Sequence, residues 1–419
     1  MASRKSENPP AGGEIAALSD RTPTTLSPLL LAILVSLAVC GLMASDINLP
    51  AVPRIAADFG VGESSVQRTF SIYMAGLVVA QALYGPVSDA YGRRPLVLAG
   101  FSLFAVASVL CATAPGITAF AVGRLLQALG AGTGLVVGRA MVGDLFDKRT
   151  ATRTFATIMP IVGVSPAVSP LIGSYLTTWF SWRAPFVLTA VIGGVTVAAV
   201  ALAVPETLSR RGGGSGLRGT VGNYPYLLRQ SRFWLYAVSL AAGYSAYFGY
   251  LVASPVIFQR MGLSTTATGY CYISVSFTYV LGNLCSRRLS ARRSISQVLG
   301  IGYLLFSTAA LLLLVAGLAQ VRSPWPLLVL MGVVATANGF LLPMSYAGGV
   351  TQFPSKAASA SGLLGALQMI GGSVASLAVG FFPGDARALS VMIFAIALSA
   401  VAAFLSLSRF SARPGEASA

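Results

Sequence analysis

The chain has 419 residues, of which 55% are hydrophobic and only 10% carry a charge, and its mean hydropathy is +0.76. A soluble globular domain has about 25% charged residues, so this composition excludes an ordinary soluble protein and indicates an integral membrane protein. The formal net charge of +16 does not indicate nucleic-acid binding, because the basic residues form short clusters between apolar runs instead of one basic face.

Several classes of chemistry are missing from the sequence. The chain has no histidine, and its four cysteines stand singly inside apolar runs, so we expect no metal site and no disulfide. No phosphate-binding G-x-x-x-x-G-K-[ST] sequence is present. We therefore expect neither an enzyme nor an ATP-driven machine, and no cofactor beyond an ion gradient.

Runs of about 20 apolar residues, the length that crosses a bilayer as a helix, predict twelve transmembrane helices. The predicted bounds are 28–50, 65–87, 96–114, 117–143, 154–178, 184–204, 232–258, 265–286, 297–319, 325–350, 358–382 and 389–409. Lys and Arg are concentrated in alternate segments between these runs, which predicts that both termini are cytoplasmic. The predicted fold class is an all-α polytopic membrane protein.

A segment rich in Gly, Ser and Arg divides the predicted spans into six plus six and is typical of a flexible linker. The predicted organisation is a cytoplasmic tail without a signal-peptide core, an amino-terminal bundle of six helices, the linker, a carboxy-terminal bundle of six helices and a second cytoplasmic tail. Their bounds are 1–27, 28–204, 205–231, 232–409 and 410–419. Paired six-helix halves are one design of secondary transporters.

The sequence GPVSDAYGRR follows the second predicted span and contains Gly85, Asp89, Gly92, Arg93 and Arg94. It resembles the loop signature of the major facilitator superfamily, which implies two six-helix bundles that rock against each other. We interpret it as a conformational latch, in which the acid caps a helix or pairs with an arginine across the interface between the halves. The alternative is a positive-inside anchor with an incidental acid.

Two further stretches resemble motifs of the same superfamily. The fourth span carries an R-x-x-Q sequence, and the fifth carries a Pro/Gly motif associated with antiporters. The residues concerned are Arg124, Gln127, Pro166, Pro170 and Gly173.

Other stretches are similar to the Bcr/CflA branch of drug–proton antiporters. They begin at Asp46, Gly138, Trp182, Pro205 and Ser359. This resemblance implies a monomeric multidrug efflux protein of the bacterial inner membrane, which exchanges a small-molecule drug for protons and confers antibiotic resistance. A proton-coupled importer or exporter of an endogenous metabolite on the same fold remains the alternative.

Asp46 is the acid that lies deepest within an apolar run, apart from any loop cluster. An ionisable residue at membrane depth is costly and marks a functional site by default, and burial favours its neutral form. We interpret Asp46 as the proton carrier; the alternative is a cap at the outer mouth of the first span. Arg124 keeps its proton, so it either tunes Asp46 or fixes neighbouring helices.

Helical spacing gives the candidate substrate contacts. Tyr244, Tyr247 and Tyr279 lie on aromatic faces of the seventh and eighth spans, where the alternative is ordinary packing. Three polar residues also stand inside apolar runs and are either substrate contacts or helix–helix hydrogen bonds: Asn48, Asn338 and Gln368.

Overall fold

The computed structural model describes residues 27–146, 148–208, 223–321, 323–353, 356–382 and 384–411. Most of the two predicted tails and the centre of the predicted linker lie outside the described residues. The regular structure that it describes is helical. The helices are α1 Pro28–Asp46, α2 Val52–Phe59, α3 Glu63–Tyr91, α4 Arg93–Ala112, α5 Ile117–Leu145, α6 Lys148–Trp179, α7 Ala184–Ala203, α8 Tyr224–Leu228, α9 Ser231–Arg260, α10 Thr265–Ser290, α11 Ile295–Leu318, α12 Pro324–Thr351, α13 Ala357–Val379 and α14 Ala386–Ser411.

The described part of the chain contains nine helices that are long and apolar enough to cross a membrane. A helix satisfies its backbone hydrogen bonds internally, which is what the hydrocarbon core requires of a spanning segment. The protein is therefore an all-helical, multi-pass membrane protein.

The first span differs from its predicted bounds, because it continues beyond residue 50 to Phe59. Helix α1 ends at Asp46, a single 3₁₀ turn follows at Leu49–Ala51, and α2 then carries the chain onward. Pro50 and Pro53 lack the N–H group that an unbroken α-helix needs, so the helix breaks here without ending the span. Asp46 consequently lies at the break between α1 and α2, and its role as proton carrier or as a cap stays a prediction.

The second predicted span, which corresponds to α3, also differs from its predicted bounds. The signature GPVSDAYGRR was expected to form a loop, but α3 continues to Tyr91, so Gly85 and Asp89 lie on a helix. Only Gly92 separates α3 from α4, and its φ of 101° is a conformation that L side chains rarely adopt. The glycine permits a turn of one residue, and the charged side chains on either side are thereby held close together.

Hydrogen bonds between the amino-terminal half (28–204) and the carboxy-terminal half (232–409) occur near one end of the helices, which we call the distal end. Ser71 on α3 donates to Ser376 on α13 at 2.9 Å, and Gln67 donates to the carbonyl of Val252 at 3.1 Å. At the same end Tyr175 on α6 bonds Tyr270 on α10. The two halves are therefore in close contact at the distal end.

Candidate functional site

The candidate site is built around the break in the first span. Asp46 is the last residue of α1 and is 5% exposed. It lies close enough to Arg124 to interact with it electrostatically. It also interacts electrostatically with Tyr244 and Tyr247 of α9, in the opposite half. The structure thus brings the two predicted coupling residues and two predicted substrate contacts together at the interface between the halves.

Arg124 is fixed by hydrogen bonds and by aromatic rings. Its Nη1 donates to the carbonyl oxygen of Ala44 at 2.8 Å and to Oε1 of Gln127 at 2.7 Å. The guanidinium lies over the ring of Tyr73, 4.2 Å from the ring centroid, and within 5.4 Å of that of Phe70. A cation that is desolvated over aromatic faces is stabilised by them. Both predicted roles of Arg124 are compatible with this geometry.

The aromatic residues around Arg124 were not predicted from the sequence. Tyr73 donates to the carbonyl oxygen of Gly41 at 2.7 Å and is fully buried. Phe70 and Tyr73 are three residues apart on α3, so they share one face of that helix. This spacing is a weak signal, because nothing in the sequence shows that the face meets an arginine more than 50 residues away.

Gln127 connects the hydrogen bonds of Arg124 to residues farther from the interface between the halves. Its Nε2 donates to the hydroxyl of Ser108 at 2.8 Å and lies 3.5 Å from that of Thr189. The Nη2 of Arg124 is buried and has no hydrogen-bond partner within the described residues. A buried donor without a partner is costly, so this atom is available to a further acceptor.

The predicted fifth-span motif packs against the break. A Cβ atom on Gly173 of α6 would overlap the carbonyl oxygen of Ile47, the residue that follows Asp46. Pro166 and Pro170 lie inside the same helix. Gly173 therefore allows α6 to approach the backbone at the break more closely than any larger residue would.

The predicted tyrosines have different degrees of exposure. Tyr244, Tyr247 and Tyr279 are each partly exposed, whereas Tyr250 and Tyr272 on the same two helices are buried. Tyr244 stacks on Phe248 with a centroid distance of 5.7 Å, so its ring also contributes to packing. The partly exposed rings are the ones available to a ligand.

The three predicted amides are placed differently. Asn338 is 1% exposed and donates from Nδ2 to the carbonyl of Gly243 at 2.9 Å, which joins α12 to α9. Asn48 is equally buried and donates to Ala44 at 3.2 Å, within the break itself. Oε1 of Gln368 accepts from the hydroxyl of Tyr346 at 2.7 Å. The contacts of Asn338 therefore correspond to the predicted alternative of a helix–helix hydrogen bond.

The predicted latch residues form an ion-pair cluster at the other end of α3. Arg93 contacts Asp89 at 2.6 Å and Asp144 at 2.9 Å. The carboxylate of Glu206 accepts from the backbone N–H groups of Arg93 at 3.0 Å and of Arg94 at 3.3 Å, which caps the start of α4. All of these groups belong to the amino-terminal half or to the segment directly after it. Among the described residues, the arginine partner of Asp89 is thus Arg93 and not an arginine across the interface.

Comparison with known proteins gives consistent matches. A family model of the Major Facilitator Superfamily matches residues 34–376. The uncharacterized MFS-type transporter YdgK of Bacillus subtilis (strain 168) is 30% identical, over 92% of this chain and 97% of that protein. Multidrug resistance protein D of Escherichia coli (strain K12) is also 30% identical, over 82% of this chain and 86% of that protein. A crystal structure of the nucleoside transporter NupG superposes with a TM-score of 0.72 over 90% of this chain and 98% of that chain, but its 14% identity supports the fold alone.

Proposed function

Because this chain belongs to the major facilitator superfamily, a family of transporters, we propose that it is a secondary active transporter that exports drugs in exchange for protons. The family match confirms the resemblance to the major facilitator superfamily that the sequence showed. The proposal agrees with the function which that resemblance implies. The likeness to Multidrug resistance protein D supports drugs as the cargo.

The proposal includes an arrangement in the membrane. Twelve spans form two six-helix bundles around a central pathway, both termini lie in the cytoplasm, and the monomer resides in the bacterial inner membrane. The excess of Lys and Arg in the segments on the same side as the termini supports this orientation. The distal end then faces outward, and its contacts between the halves correspond to a state that is closed to the outside.

One observation carries the coupling mechanism: Asp46 is buried at a break in a span, within electrostatic range of Arg124 and of Tyr244 and Tyr247 in the opposite half. A carboxyl group in this position is exposed to one side of the membrane and then to the other as the halves rock. It binds a proton from the outside in one state and releases it to the cytoplasm in the next. Drug occupies the same central space while Asp46 is without its proton.

The proposed cargo is drug-sized, largely apolar and neutral or weakly charged. The partly exposed Tyr244, Tyr247 and Tyr279 offer ring surface and one hydroxyl each. Apolar walls with a few placed polar groups suit such ligands. A di- or tricarboxylate would require more cations in the central pathway than this sequence supplies.

Two measurements on purified protein test the proposal, the first in proteoliposomes and the second in detergent. The first follows efflux of a panel of amphiphilic antibiotics driven by an imposed proton gradient. The second follows proton release when drug binds the detergent-solubilised protein at neutral pH. We expect drug movement that requires the gradient, and proton release that saturates with drug. If the panel is not transported but a small polar metabolite is, the alternative function as a metabolite transporter replaces this one.

A further inference from the structure

A cavity lies at the distal end, and neither Tyr244 nor Tyr247 lines it. Its volume is about 310 Å³, near the lower limit of about 300 Å³ for pockets that hold small ligands. Its floor is formed by Pro50, Pro255 and Thr268, which are buried, and its rim includes Arg54 and Gln259, which are exposed. The cavity is therefore a half-enclosed pocket with an opening at the distal surface.

The two halves share this pocket. Pro50 and Arg54 come from the break and from α2, whereas Pro255 and Gln259 belong to α9 and Thr268 belongs to α10. Contacts between the halves hold its walls together, among them the ion pair of Arg260 with Glu63 at 3.4 Å. The pocket consequently exists only while the distal end is closed.

The charge in the lining of the pocket is positive only. Arg54 is the one charged residue that lines it, and no lining residue is acidic. The guanidinium donates from Nη1 to the carbonyl of Thr177, and no carboxylate in the described part of the chain forms an ion pair with it. Its remaining donors can form a paired contact with a carboxylate. Proline rings and the side chain of Leu263 provide apolar surface next to this cation.

We propose that this distal pocket binds a small aromatic carboxylate, which bridges the two halves and holds the distal end closed. A ligand that binds one conformation and not the other shifts the equilibrium toward the first. At a concentration ten times its dissociation constant, such a ligand lowers the fraction of outward-open protein about tenfold. Every transport cycle passes through that state, so the maximal efflux rate falls.

The site itself follows from the cavity and is independent of the cargo; only the inhibition rests on the proposed function. Binding is tested with 2-naphthoate, and the neutral 2-naphthamide serves as the matched control compound. The thermal unfolding midpoint of the purified full chain is recorded at rising probe concentration. We expect a saturable rise with 2-naphthoate and none with 2-naphthamide.

Two pocket variants and one control variant locate the site. Arg54→Gln removes the cation. Gln259→Glu adds a negative charge to the lining, and because Gln259 is exposed, we expect this variant to fold even if the first does not. Loss of a charged hydrogen bond weakens binding about ten- to hundredfold, which is the change expected for both variants. Arg68→Gln removes an exposed arginine of the distal end that does not line the pocket and should bind as the wild type does.

Transport provides the second readout. We expect 2-naphthoate, added from the distal side, to lower the maximal rate of drug efflux without raising the drug concentration that gives half of that rate. Competition with drug would place the probe in the central space and overturn the proposal. Equal shifts of the unfolding midpoint in the wild type and both pocket variants, or no shift with 2-naphthoate in the wild type, would overturn it as well. The midpoint measurements decide the binding site even if no drug is transported.

Discussion

Arg124 on α5 donates from Nη1 to the carbonyl oxygen of Ala44, 2.8 Å away, in the last turn of α1. This bond joins a buried cation to the helix that ends two residues later at Asp46. The position of the guanidinium and the position of the carboxyl group are thereby linked through the backbone as well as through their charges. A shift of α1 during transport changes both at once.

Substitution of Asp46 tests the proton carrier. Asp46→Asn is permanently neutral, so it should abolish uphill drug transport driven by a proton gradient while it retains drug binding and downhill exchange. Asp46→Glu keeps a titratable group and should retain part of the activity. Flux in proteoliposomes with and without a pH gradient measures the difference.

The matched control for Asp46 is Asp58→Asn on the same span. Asp58 pairs with Arg183 at 2.8 Å near the distal surface, and an exposed ion pair contributes only about 0–1 kcal/mol to stability. This variant should transport normally. Uphill pumping by Asp46→Asn with unchanged pH dependence would require withdrawal of the proton-antiport proposal.

Arg124→Lys separates charge from geometry. Lysine keeps the positive charge but lacks the planar guanidinium that lies over the ring of Tyr73 while its Nη1 donates to both Ala44 and Gln127. Because both acceptors are buried, we expect transport to fall strongly at every pH and unfolding to become easier by about 1.5–3 kcal/mol. Arg139→Lys, an exposed position on the same helix, is the control. Coupled transport with only a shifted pH profile would instead show that the charge of Arg124 is sufficient.

Gly173→Ala tests the close approach of α6 to the break. The added Cβ would meet the carbonyl oxygen of Ile47, which belongs to the backbone and has little room to move. Overpacking of this kind costs about 1–3 kcal/mol, so the unfolding midpoint and transport should both fall. Gly194→Ala, on α7 where the added atom meets open space, should leave both unchanged. Equal behaviour of the two variants would show that the approach of α6 is not required.

Asp89→Asn tests the latch at the start of α4. The carboxylate of Asp89 is 43% exposed, so its removal should leave expression and membrane insertion near normal. Arg93 then retains its ion pair with Asp144 and its hydrogen bond to Ser88, and the junction between α3 and α4 loses one of its fixed contacts. We expect a severe loss of transport, measured as initial flux per inserted protein. Flux at the wild-type rate would exclude a conformational role.

The sequence by itself determined the class of protein, the approximate positions of the helices and the family. These properties depend on local composition: the length of apolar runs, the spacing of Gly, Asp and Arg in the signature, and the single acid deep in the first span. Helix ends were less well determined where Pro and Gly suggested a loop. Pro50 breaks the first span without ending it, and Gly85 lies inside α3, because packing against neighbouring helices stabilises helical backbone that local propensity does not favour.

Only the tertiary structure decided which residues meet. Asp89 pairs with Arg93 four residues along the chain, whereas Arg124 meets Tyr73 and Ala44 from distant helices, and Ser71 meets Ser376 across the interface. A sequence shows which face of a helix carries a side chain, but not the rotation and translation that bring two faces together. Those are set by the sum of many weak packing contacts between helices, so the closed distal end and its shared pocket were not evident from the sequence.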